Sequence, residues 1–437
     1  MRAMTFLRYP AYKDSGVEWL GEIPQHWQLK KLKYIASINM GQSPDSEDVN
    51  MDGIGTPFLQ GNAEFGKIHP TPRLFCLSAR KLAHQGDVLL SVRAPVGAVN
   101  VANQTYGIGR GLCAIRISQG MMIRSYFEFL LSLLRLQLDA VAYGSTYDAV
   151  SVEQVNNLDC WLPPLPEQHA IAAFLDAETA RIDTLVAKQV SLIATLQEKR
   201  RALISHVVTK GLDPAAPMKD SGVPWLGEVP KHWEVKRYRR IFMEVTELSE
   251  TGDEELLTVS HLTGVTPRSE KNVNMIMAES LEGYKKCRTG DTVINTMWAW
   301  MGALGVALND GIVSPSYNVY RIRPEKRHHI EPLYLDYLYR TELHIVEINR
   351  YSKGIWNSRL RLYPQSFFEM SMPCPSVEEQ RSIVHYLSKE TTHIDTLITK
   401  SQEMIAVLRE HRTALVAAAV TGQIDVREPS RELGRIK

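Results

Sequence analysis

Three short stretches of the sequence carry residue types that could do chemistry. Residues 107–111 read GIGRG, which is glycine-rich but lacks the G-x-G-x-x-G spacing of a dinucleotide site. Glu234 and Lys236 could be the acid and lysine of a nuclease, and His328 with His329 could bind a metal. However, the chain has no Walker A run, a related stretch has glutamine in place of the acid, and no spaced carboxylates accompany the histidines. The sequence therefore favours a loop at residues 107–111, a solvated strand at Glu234 and Lys236, and a basic loop at His328 and His329. It predicts no active site at any of them.

Basic and amide side chains in predicted loops form a larger set, and their chemistry is recognition. Arginine can pair with the edge of guanine and asparagine with that of adenine, each good pair giving about 1–3 kcal/mol of discrimination. Lysine and the remaining arginines more often contact phosphates. Asn295 is the candidate reader of adenine, and for every candidate a solvated surface charge is an equal alternative. The candidate DNA-binding residues are Lys67, Arg73, Arg93, Arg110, Lys285, Lys286, Arg288, Asn295, Arg359 and Arg361.

Composition limits the class of protein. The chain has 437 residues, with 50 Lys+Arg against 49 Asp+Glu, so its net charge of +1 excludes a histone-like polycation. A hydrophobic fraction of 44% with 23% charged residues is ordinary for globular domains, and this length predicts at least two of them. The five scattered cysteines form no C-x-x-C pair, which argues against a disulfide scaffold or a zinc site. No apolar run reaches 18 residues, and we expect a soluble cytoplasmic protein without a metal.

The sequence contains a long internal repeat. Residues 13–30 read KDSGVEWLGEIPQHWQLK, and residues 219–236 read KDSGVPWLGEVPKHWEVK. A Gly-Asp strand, a Glu-Gln helix start and an Ile-Asp-Thr-Leu run recur in the same order, at offsets between 204 and 212. Matches in constant order indicate a duplicated domain. The paired tryptophans of the two copies, which we expect to pack the framework, are Trp19 and Trp27 with Trp225 and Trp233.

Each copy is predicted to have a mixed strand and helix domain followed by one long helix. Prolines precede each helix, glycine follows it, and Glu167 opens the first with a favourable charge. The predicted division is a first recognition domain at 1–164, a central helix at 165–211, a linker at 212–218, a second recognition domain at 219–375, a distal helix at 376–423 and a tail at 424–437.

The long helices show heptad periodicity, which calls for a partner helix. The second apolar row of each heptad is predicted to include Leu185, Leu192, Leu397 and Met404 in the seam. The other row, which defines the predicted spacer coiled coil, comprises Leu175, Ile182, Gln189, Leu196, Leu203, Leu387, Ile394, Ser401, Leu408 and Leu415.

Polar residues in the seam favour antiparallel pairing. Parallel helices would place Glu178 against Glu390, whereas antiparallel helices bring Glu178 near Arg412 and Glu390 near Arg200. Like charges in a seam cost stability, so the pattern selects the antiparallel register. The alternative is that each helix packs only on its own domain. About 40 helical residues would span roughly 60 Å, or at most about 18 base pairs of duplex.

These motifs resemble those of the specificity subunit of type I restriction-modification systems. The resemblance rests on K-D-S-G-V-x-W-L-G-E-x-P-x-H-W, the G-D-V-L-L-S strand and the P-L-P-E-Q helix start, and it extends over about residues 13–425. It implies two target-recognition domains that each read half of a bipartite asymmetric DNA sequence. The helices would set the spacer and dock two methyltransferase subunits, which restriction subunits (translocase and nuclease) then join. The resemblance implies no cofactor in this chain, with S-adenosylmethionine, ATP and Mg in the partner subunits.

The second copy departs from the first in its predicted loops. SVRAP at 91–95 becomes NTMWAW at 295–300, and residues 144–147 face a different sequence at 354–357. A shared framework with divergent loops is what two different half-sites require. We expect the tryptophans of these loops in the aromatic core, although they could instead wedge beside DNA; they are Trp298, Trp300 and Trp356.

The predicted fold is therefore α+β, with two mixed α/β target-recognition domains in tandem repeat, linked by two long helices in an antiparallel intramolecular coiled coil. The predicted function is non-catalytic DNA sequence recognition. The alternative is a coiled-coil scaffold whose two domains bind protein partners.

Overall fold

The computed structural model describes residues 7–142, 149–271, 280–355 and 360–427, without the side chains of residues 135–137 and 139–142. The chain divides into two compact units. The first combines residues up to 188 with those from 404 onward, and the second comprises residues 189–403. Each unit therefore holds one mixed domain together with part of each long helix.

The first unit contains two sheets and a covering helix. The four-stranded sheet has the order β10-β9-β12-β4, and the five-stranded sheet has the order β5-β7-β6-β11-β8. Two further strand pairs, β1-β2 and β3-β13, belong to the same unit. The elements are β1 Tyr12–Asp14, β2 Glu22–Pro24, β3 Gln28–Lys31, β4 Ala36–Met40, β5 Val49–Asn50, β6 Thr56–Leu59, β7 Leu74–Cys76, β8 Leu82–Ala83, β9 Val88–Ser91, β10 Val99–Val101, β11 Tyr106–Ile108, β12 Leu112–Ile117, α1 Arg124–Ala142, α2 Val152–Asn156, β13 Asp159–Leu162 and α3 Leu165–Lys210.

The second unit repeats the arrangement of the four-stranded sheet. Its order is β17-β24-β21-β22, and strand pairs β16-β25, β14-β15, β18-β19 and β20-β23 accompany it. The elements are β14 Met218–Asp220, β15 Glu228–Pro230, β16 Glu234–Arg237, β17 Phe242–Val245, β18 Leu257–Ser260, β19 Gly264–Pro267, β20 Lys285–Cys287, β21 Thr292–Asn295, β22 Leu304–Val306, β23 Gly311–Val313, β24 Tyr317–Ile322, α4 Pro332–Tyr339, α5 Glu342–Tyr351, α6 Pro364–Glu369, β25 Ser371–Cys374 and α7 Val377–Val420.

One motif, present in both copies of the repeat, fixes the start of each long helix. The side chain of Gln168 accepts a hydrogen bond from the backbone of Ile123 at 2.9 Å and donates one to the carbonyl of Pro163 at 2.8 Å. Gln380 does the same with Glu331 and Pro375, both at 2.9 Å. Both glutamines are buried, and their amides satisfy backbone groups that would otherwise lack partners. The Glu-Gln motif is therefore a structural joint between helix and domain.

The tryptophan pairs of the repeat do not behave alike. Trp27 and Trp233 are fully buried, as expected for framework residues. Trp225 is partly buried, whereas Trp19 is 46% exposed and its ring lies 5.7 Å from that of Trp161. The expectation that Trp19 packs the framework is therefore only partly right, because one face of its ring stays in solvent.

Glycine ends both long helices beside a buried tryptophan. Gly211 has φ +82°, and a Cβ there would lie 3.2 Å from the Trp233 ring. Gly422 has φ +74°, and a Cβ there would lie 2.5 Å from Pro24. Left-handed backbone and close packing both require glycine at these helix ends.

The predicted antiparallel coiled coil is confirmed within each unit. In the first unit, Leu175 and Ile182 near the start of α3 share a buried cluster with Leu408 and Leu415 near the end of α7. In the second unit, the end of α3 and the start of α7 share another cluster, which includes Ile204 and Val207 with Ile383 and Leu387. Opposite ends of the two helices therefore pack together.

The seam is narrower than the sequence predicts. Leu175, Ile182, Leu387, Ile394, Ser401, Leu408 and Leu415 are buried, whereas Gln189, Leu196 and Leu203 are partly buried. The second apolar row was wrongly placed in the seam at three positions, because Leu192, Leu397 and Met404 are 45%, 37% and 47% exposed. Two helices bury one stripe each, so an additional apolar row stays at the edge of the contact.

Opposite charges meet across the seam, as antiparallel helices predict, but the acidic partners of the two arginines differ from those predicted. Arg412 Nε lies 3.2 Å from Asp183 Oδ1, and Arg200 Nε lies 3.2 Å from Asp395 Oδ1. Each aspartate follows the predicted glutamate by five residues, while Glu178 pairs with Arg181 on its own helix. These ion pairs are partly exposed, so they select register more than they add stability.

Within the described parts of the chain, no helix is long and apolar enough to cross a membrane. In the same residues, no group of three or more His, Cys, Asp and Glu side chains is placed to hold a metal ion.

Candidate nucleic-acid interface

Four strands of the first unit end at one edge. β4 and β9 run antiparallel to β12, so their ends lie beside its first residues, with Met40 opposite Cys113 and Ser91 opposite Leu112. β6 and β11 are parallel and end at the same place. Backbone hydrogen bonds of 2.8–2.9 Å join the segments that follow these strands. We call this surface the first edge, and it comprises residues 41–43, 60–61, 92–93 and 109–111.

Polar side chains converge on the first edge. Arg110 donates a hydrogen bond from Nε to Ser43 Oγ at 2.9 Å, and Gln60 Nε2 lies 3.5 Å from the same oxygen. Gln60, Arg93 and Arg110 are exposed, and Ser43 is partly buried. Val92 donates its backbone N–H to the Gly111 carbonyl at 2.9 Å, which keeps Arg93 beside the turn that carries Arg110. Two predicted site residues, Arg93 and Arg110, therefore lie together.

Glycines allow the segments of the first edge to approach so closely. A Cβ on Gly41 would lie 2.1 Å from the Gly109 carbonyl oxygen, and one on Gly111 would lie 2.7 Å from the Gln60 carbonyl oxygen. The glycine-rich run at 107–111 joins β11 to β12 and leads into no helix. It is thus a connection between strands, without the helix N-terminus of a nucleotide-binding loop.

Of the other two candidates in the first unit, Arg73 lies next to the first edge and Lys67 lies away from it. Arg73 directly precedes β7, whose first residue Leu74 pairs with Phe58, so Arg73 is next to the end of β6. Lys67 follows Gly66, whose carbonyl accepts a 2.8 Å hydrogen bond from Asn100 in the middle of β10. Both basic residues are exposed, and only Arg73 adjoins the first edge.

The second unit has a corresponding edge with different chemistry. β17 and β21 run antiparallel to β24, so Val245 lies opposite Val319 and Asn295 opposite Tyr317. Lys285 reaches this edge from β20 and donates from Nζ to the Tyr317 carbonyl at 2.7 Å. We call this surface the second edge, and it comprises Lys285 with residues 295–298 and 314–317.

Aromatic surface is the main feature of the second edge. Trp298 is 49% exposed, and its ring stacks on that of Trp300 at 6.4 Å between centroids, with 15° between the planes. The expectation that Trp298 belongs to the aromatic core is wrong. The turn that carries it is held by Asn295, which is 6% exposed and accepts a 3.2 Å hydrogen bond at Oδ1 from the Met297 N–H. In this arrangement, Asn295 shapes the turn beneath Trp298.

The sequence of the chain is similar to those of known proteins. The family model described as the type I restriction modification DNA specificity domain matches residues 24–192. The chain is 39% identical over 181 residues to the type I restriction enzyme MjaX specificity subunit of Methanocaldococcus jannaschii, an alignment that covers 41% of each chain. It is 21% identical over 435 residues to the EcoBI specificity subunit of Escherichia coli, covering 94% of this chain and 89% of that one.

A solved structure extends the likeness to the whole fold. A chain in a structure on complex assembly and conformational transition of the type I R-M system matches with a TM-score of 0.69 at 18% identity, covering 91% of this chain and 98% of that one. Residues 24–192 thus resemble type I restriction modification DNA specificity domains in sequence, and most of the chain shares the fold of that solved structure. The aligned part of the chain corresponds to less than half the length of the M. jannaschii MjaX relative.

The remaining candidate residues pair with other side chains or lie away from the second edge. Lys286 Nζ pairs with Glu254 at 3.0 Å, and Arg288 Nη2 lies 3.4 Å from Glu247. Arg288 precedes β21, whereas the second edge lies at the end of that strand. Arg361 exchanges backbone hydrogen bonds with Lys353. Arg359, Trp356 and the loop at 144–147 lie outside the described residues.

Sequence reasoning missed an arginine–aspartate ion pair in the four-stranded sheet of each unit. Arg116 contacts both carboxylate oxygens of Asp87 at 2.8 and 2.9 Å. In the second unit, Arg321 contacts Asp291 in the same manner, and these hydrogen bonds raise the pKa of Arg321 above its ordinary value. A signal was present, because the Gly-Asp motif and an arginine occur in both copies of the repeat.

Proposed function

We propose that this chain is the non-catalytic DNA sequence-specificity subunit of a type I restriction-modification complex. The observation that carries the proposal is a duplicated sheet framework whose equivalent edges bear different side chains. The first edge presents Ser43, Gln60, Arg93 and Arg110, and the second presents Lys285 and Trp298. Arginine and amide side chains suit base edges, while aromatic rings suit base steps.

Each unit reads one half of a bipartite, asymmetric target. Different chemistry on a common framework gives each half-site its own contacts, and an asymmetric target follows because the edges differ. The set of DNA contacts comprises Lys67, Arg73, Arg93 and Arg110 in the first unit, and Lys285, Lys286, Arg288, Asn295, Arg359 and Arg361 in the second. Those that adjoin an edge with an accessible side chain read bases, the buried Asn295 supports the turn that carries Trp298, and the others neutralise phosphates.

The coiled coil sets the spacer and docks two methyltransferase subunits. Support comes from apolar side chains that the paired helices leave exposed. These are Met404 and Val407 in the first unit, at 47% and 60% exposure, and Val190, Leu192 and Leu397 in the second, at 37–51%. Apolar rows of this kind are typical of surfaces that another protein covers.

Catalysis belongs to the partner subunits. Methyl transfer uses S-adenosylmethionine bound to the methyltransferase, and restriction uses ATP and Mg bound to the restriction subunits. This assignment gives each part of the chain a role. The target-recognition domains are residues 1–164 and 219–375, the spacer helices are 165–211 and 376–423, the linker is 212–218 and the tail is 424–437. The complex acts on DNA in the cytoplasm.

Exchange of recognition segments tests the proposal. Residues 86–147 are replaced by the counterpart 290–356, and the sequence methylated by the assembled complex is mapped on genomic DNA. We expect one half of the recognised sequence to change while the other half stays the same. If both halves changed, the units would not read independently.

Salt-dependent DNA retention separates this function from the alternative. The complex with its methyltransferase subunits is expected to retain duplex DNA less well as salt rises, because bound phosphates release counterions. Indifference to DNA at every salt concentration would favour a scaffold whose units bind protein partners.

A further inference from the structure

We propose that Arg110 reads a guanine in the major groove of one half-site, and that Ser43 holds its guanidinium for this contact. The inference rests on the proposed function and specifies the base and the geometry. It is carried by the way the turn at 109–111 of the first edge presents Arg110.

Arg110 stands alone on its turn. Both neighbours, Gly109 and Gly111, lack side chains, and a Cβ on Gly109 would lie 2.8 Å from Gln60 Oε1. The turn is held by the backbone of the segment after β6, because Gly109 donates to the Leu59 carbonyl at 2.8 Å. Close packing of Gln60 against both glycines fixes the turn, and Arg110 is its one residue with a long side chain, which is exposed.

The guanidinium is oriented without being neutralised. Its Nε donates to Ser43 Oγ at 2.9 Å, and in the described parts of the chain no hydrogen bond or ion pair occupies its two terminal nitrogens. By contrast, Arg80 and Arg116 of the same unit pair with Asp45 and Asp87. Arg110 therefore keeps its full charge and a free pair of donors.

That pair of donors matches guanine. In the major groove, guanine offers two acceptors, O6 and N7, which take the parallel N–H bonds of one guanidinium. A hydrogen bond at Nε restricts rotation of the side chain before DNA binds, which lowers the entropy cost of the contact. Ser43 is thus a positioning residue, and Arg110 makes the base contact.

The rival role for Arg110 is a phosphate contact, which predicts a different result. A phosphate contact weakens binding to all sequences equally and lowers the salt slope by about one when removed. A guanine contact instead loses discrimination at one base pair, by roughly 5- to 150-fold, and spares the other positions.

The experiment uses the full chain in complex with its methyltransferase subunits. The recognised sequence is mapped first, and then duplexes with every single base-pair change are competed against it. We expect Arg110→Ala to abolish discrimination at one G·C pair of a single half-site. Arg110→Lys should keep the charge but lose most of the discrimination, since lysine lacks the planar pair of donors.

Ser43 and a modified base provide the decisive readouts. Ser43→Ala should reduce discrimination at the same pair without changing the salt slope, and Ser43→Thr should restore it. A duplex with 7-deazaguanine at that position should bind the wild-type complex more weakly but the Arg110→Ala complex equally well. Arg80→Ala, which removes an exposed ion pair of the same unit, is the matched control and should leave discrimination intact.

Two outcomes would overturn the inference. One is a uniform loss of affinity for all duplexes with a lower salt slope, and the other is unchanged discrimination in Arg110→Ala. If the wild-type complex itself showed no preference among duplexes, the proposed function would fail instead, and the two failures are thereby separated.

Discussion

Arg321 holds Asp291 through two guanidinium nitrogens, with Nε at 2.9 Å from Oδ1 and Nη2 at 2.8 Å from Oδ2. The side chains are 12% and 3% exposed, and Asp291 also accepts the backbone N–H of Arg288 at 2.8 Å. The contact therefore joins the start of β21, the adjacent strand β24 and the turn before them. In the first unit Arg116 and Asp87 make the same contact, but Arg116 is 53% exposed.

This difference in exposure predicts unequal costs of removing the arginine. Arg321→Met leaves the Asp291 carboxylate buried without its partner, and we expect the free energy of unfolding of the second unit to fall by about 3 kcal/mol. Arg116→Met should cost the first unit only about 1 kcal/mol, because water can reach the side of the pair that Arg116 occupies. Hydrogen exchange of the full chain in increasing denaturant, resolved by peptide, measures both units at once. Equal losses would show that exposure of the arginine does not set the strength of the pair.

Trp298 is expected to contribute to DNA binding without supporting the fold. Because its ring is half exposed, Trp298→Ala should leave the thermal midpoint within about 2 °C of wild type, while the complex should bind its duplex more weakly because the ring packs against a base step. Trp298→Phe should retain part of this affinity. DNA binding by titration and melting by calorimetry check the two statements.

Trp300 provides the matched comparison for Trp298. It is partly buried, and its Nε1 donates to the Met297 carbonyl at 3.1 Å. Trp300→Ala should therefore lower the thermal midpoint of the second unit clearly. If Trp298→Ala destabilised the unit as much as Trp300→Ala, the exposed ring would be part of the framework after all.

The repeat itself accounts for what could be predicted from the sequence. Two copies in one chain mark Gln168 and Gln380, or Trp27 and Trp233, as equivalent positions, and heptads with opposite charges indicate antiparallel helices. Local pattern carries this information, because capping, periodicity and helix ends depend on neighbouring residues.

The interface could not be predicted in the same way. Ser43 and Arg110 are 67 residues apart, and they meet because the backbone N–H groups of Gly41 and Gln42 bond to the carbonyls of Leu112 and Ile108. Likewise, the exposure of Leu192 and Met404 depends on the rotation of each helix about its axis, which an apolar heptad does not determine. Long-range pairing and helix rotation are properties of the packed structure.

Helix length is expected to control the gap between the two half-sites. One additional heptad in each of α3 and α7, inserted beside Gln189 and Ser401, lengthens each helix by about 10.5 Å. The preferred gap should then grow by about 3 base pairs, as read by methylation mapping of the variant complex. Insertion into α3 alone is the control, since it shifts the seam out of register and should abolish assembly. An unchanged gap in the double insertion would contradict the role of the helices as spacer.

His344 predicts acid sensitivity of the second unit. Its side chain is fully buried, Nε2 lies 2.7 Å from the Tyr238 hydroxyl, and the ring lies 5.7 Å from that of Trp225. Burial lowers the pKa of His344 from 6.5 to about 3. The unfolded chain therefore binds a proton at a higher pH than the folded chain does, so stability should fall as the pH decreases from about 6.5 towards 3.

Substitution of His344 separates this effect from general acid unfolding. His344→Gln removes the titrating group and keeps a hydrogen-bonding side chain, so the second unit should lose less stability between pH 6.5 and pH 4 than the wild type does. His393→Gln, at an exposed position of α7, is the control and should leave the pH dependence unchanged. Tryptophan fluorescence during denaturant unfolding at each pH gives the measurement. A pH dependence that is the same in His344→Gln and wild type would show that carboxylates, and not this buried imidazole, cause the acid sensitivity.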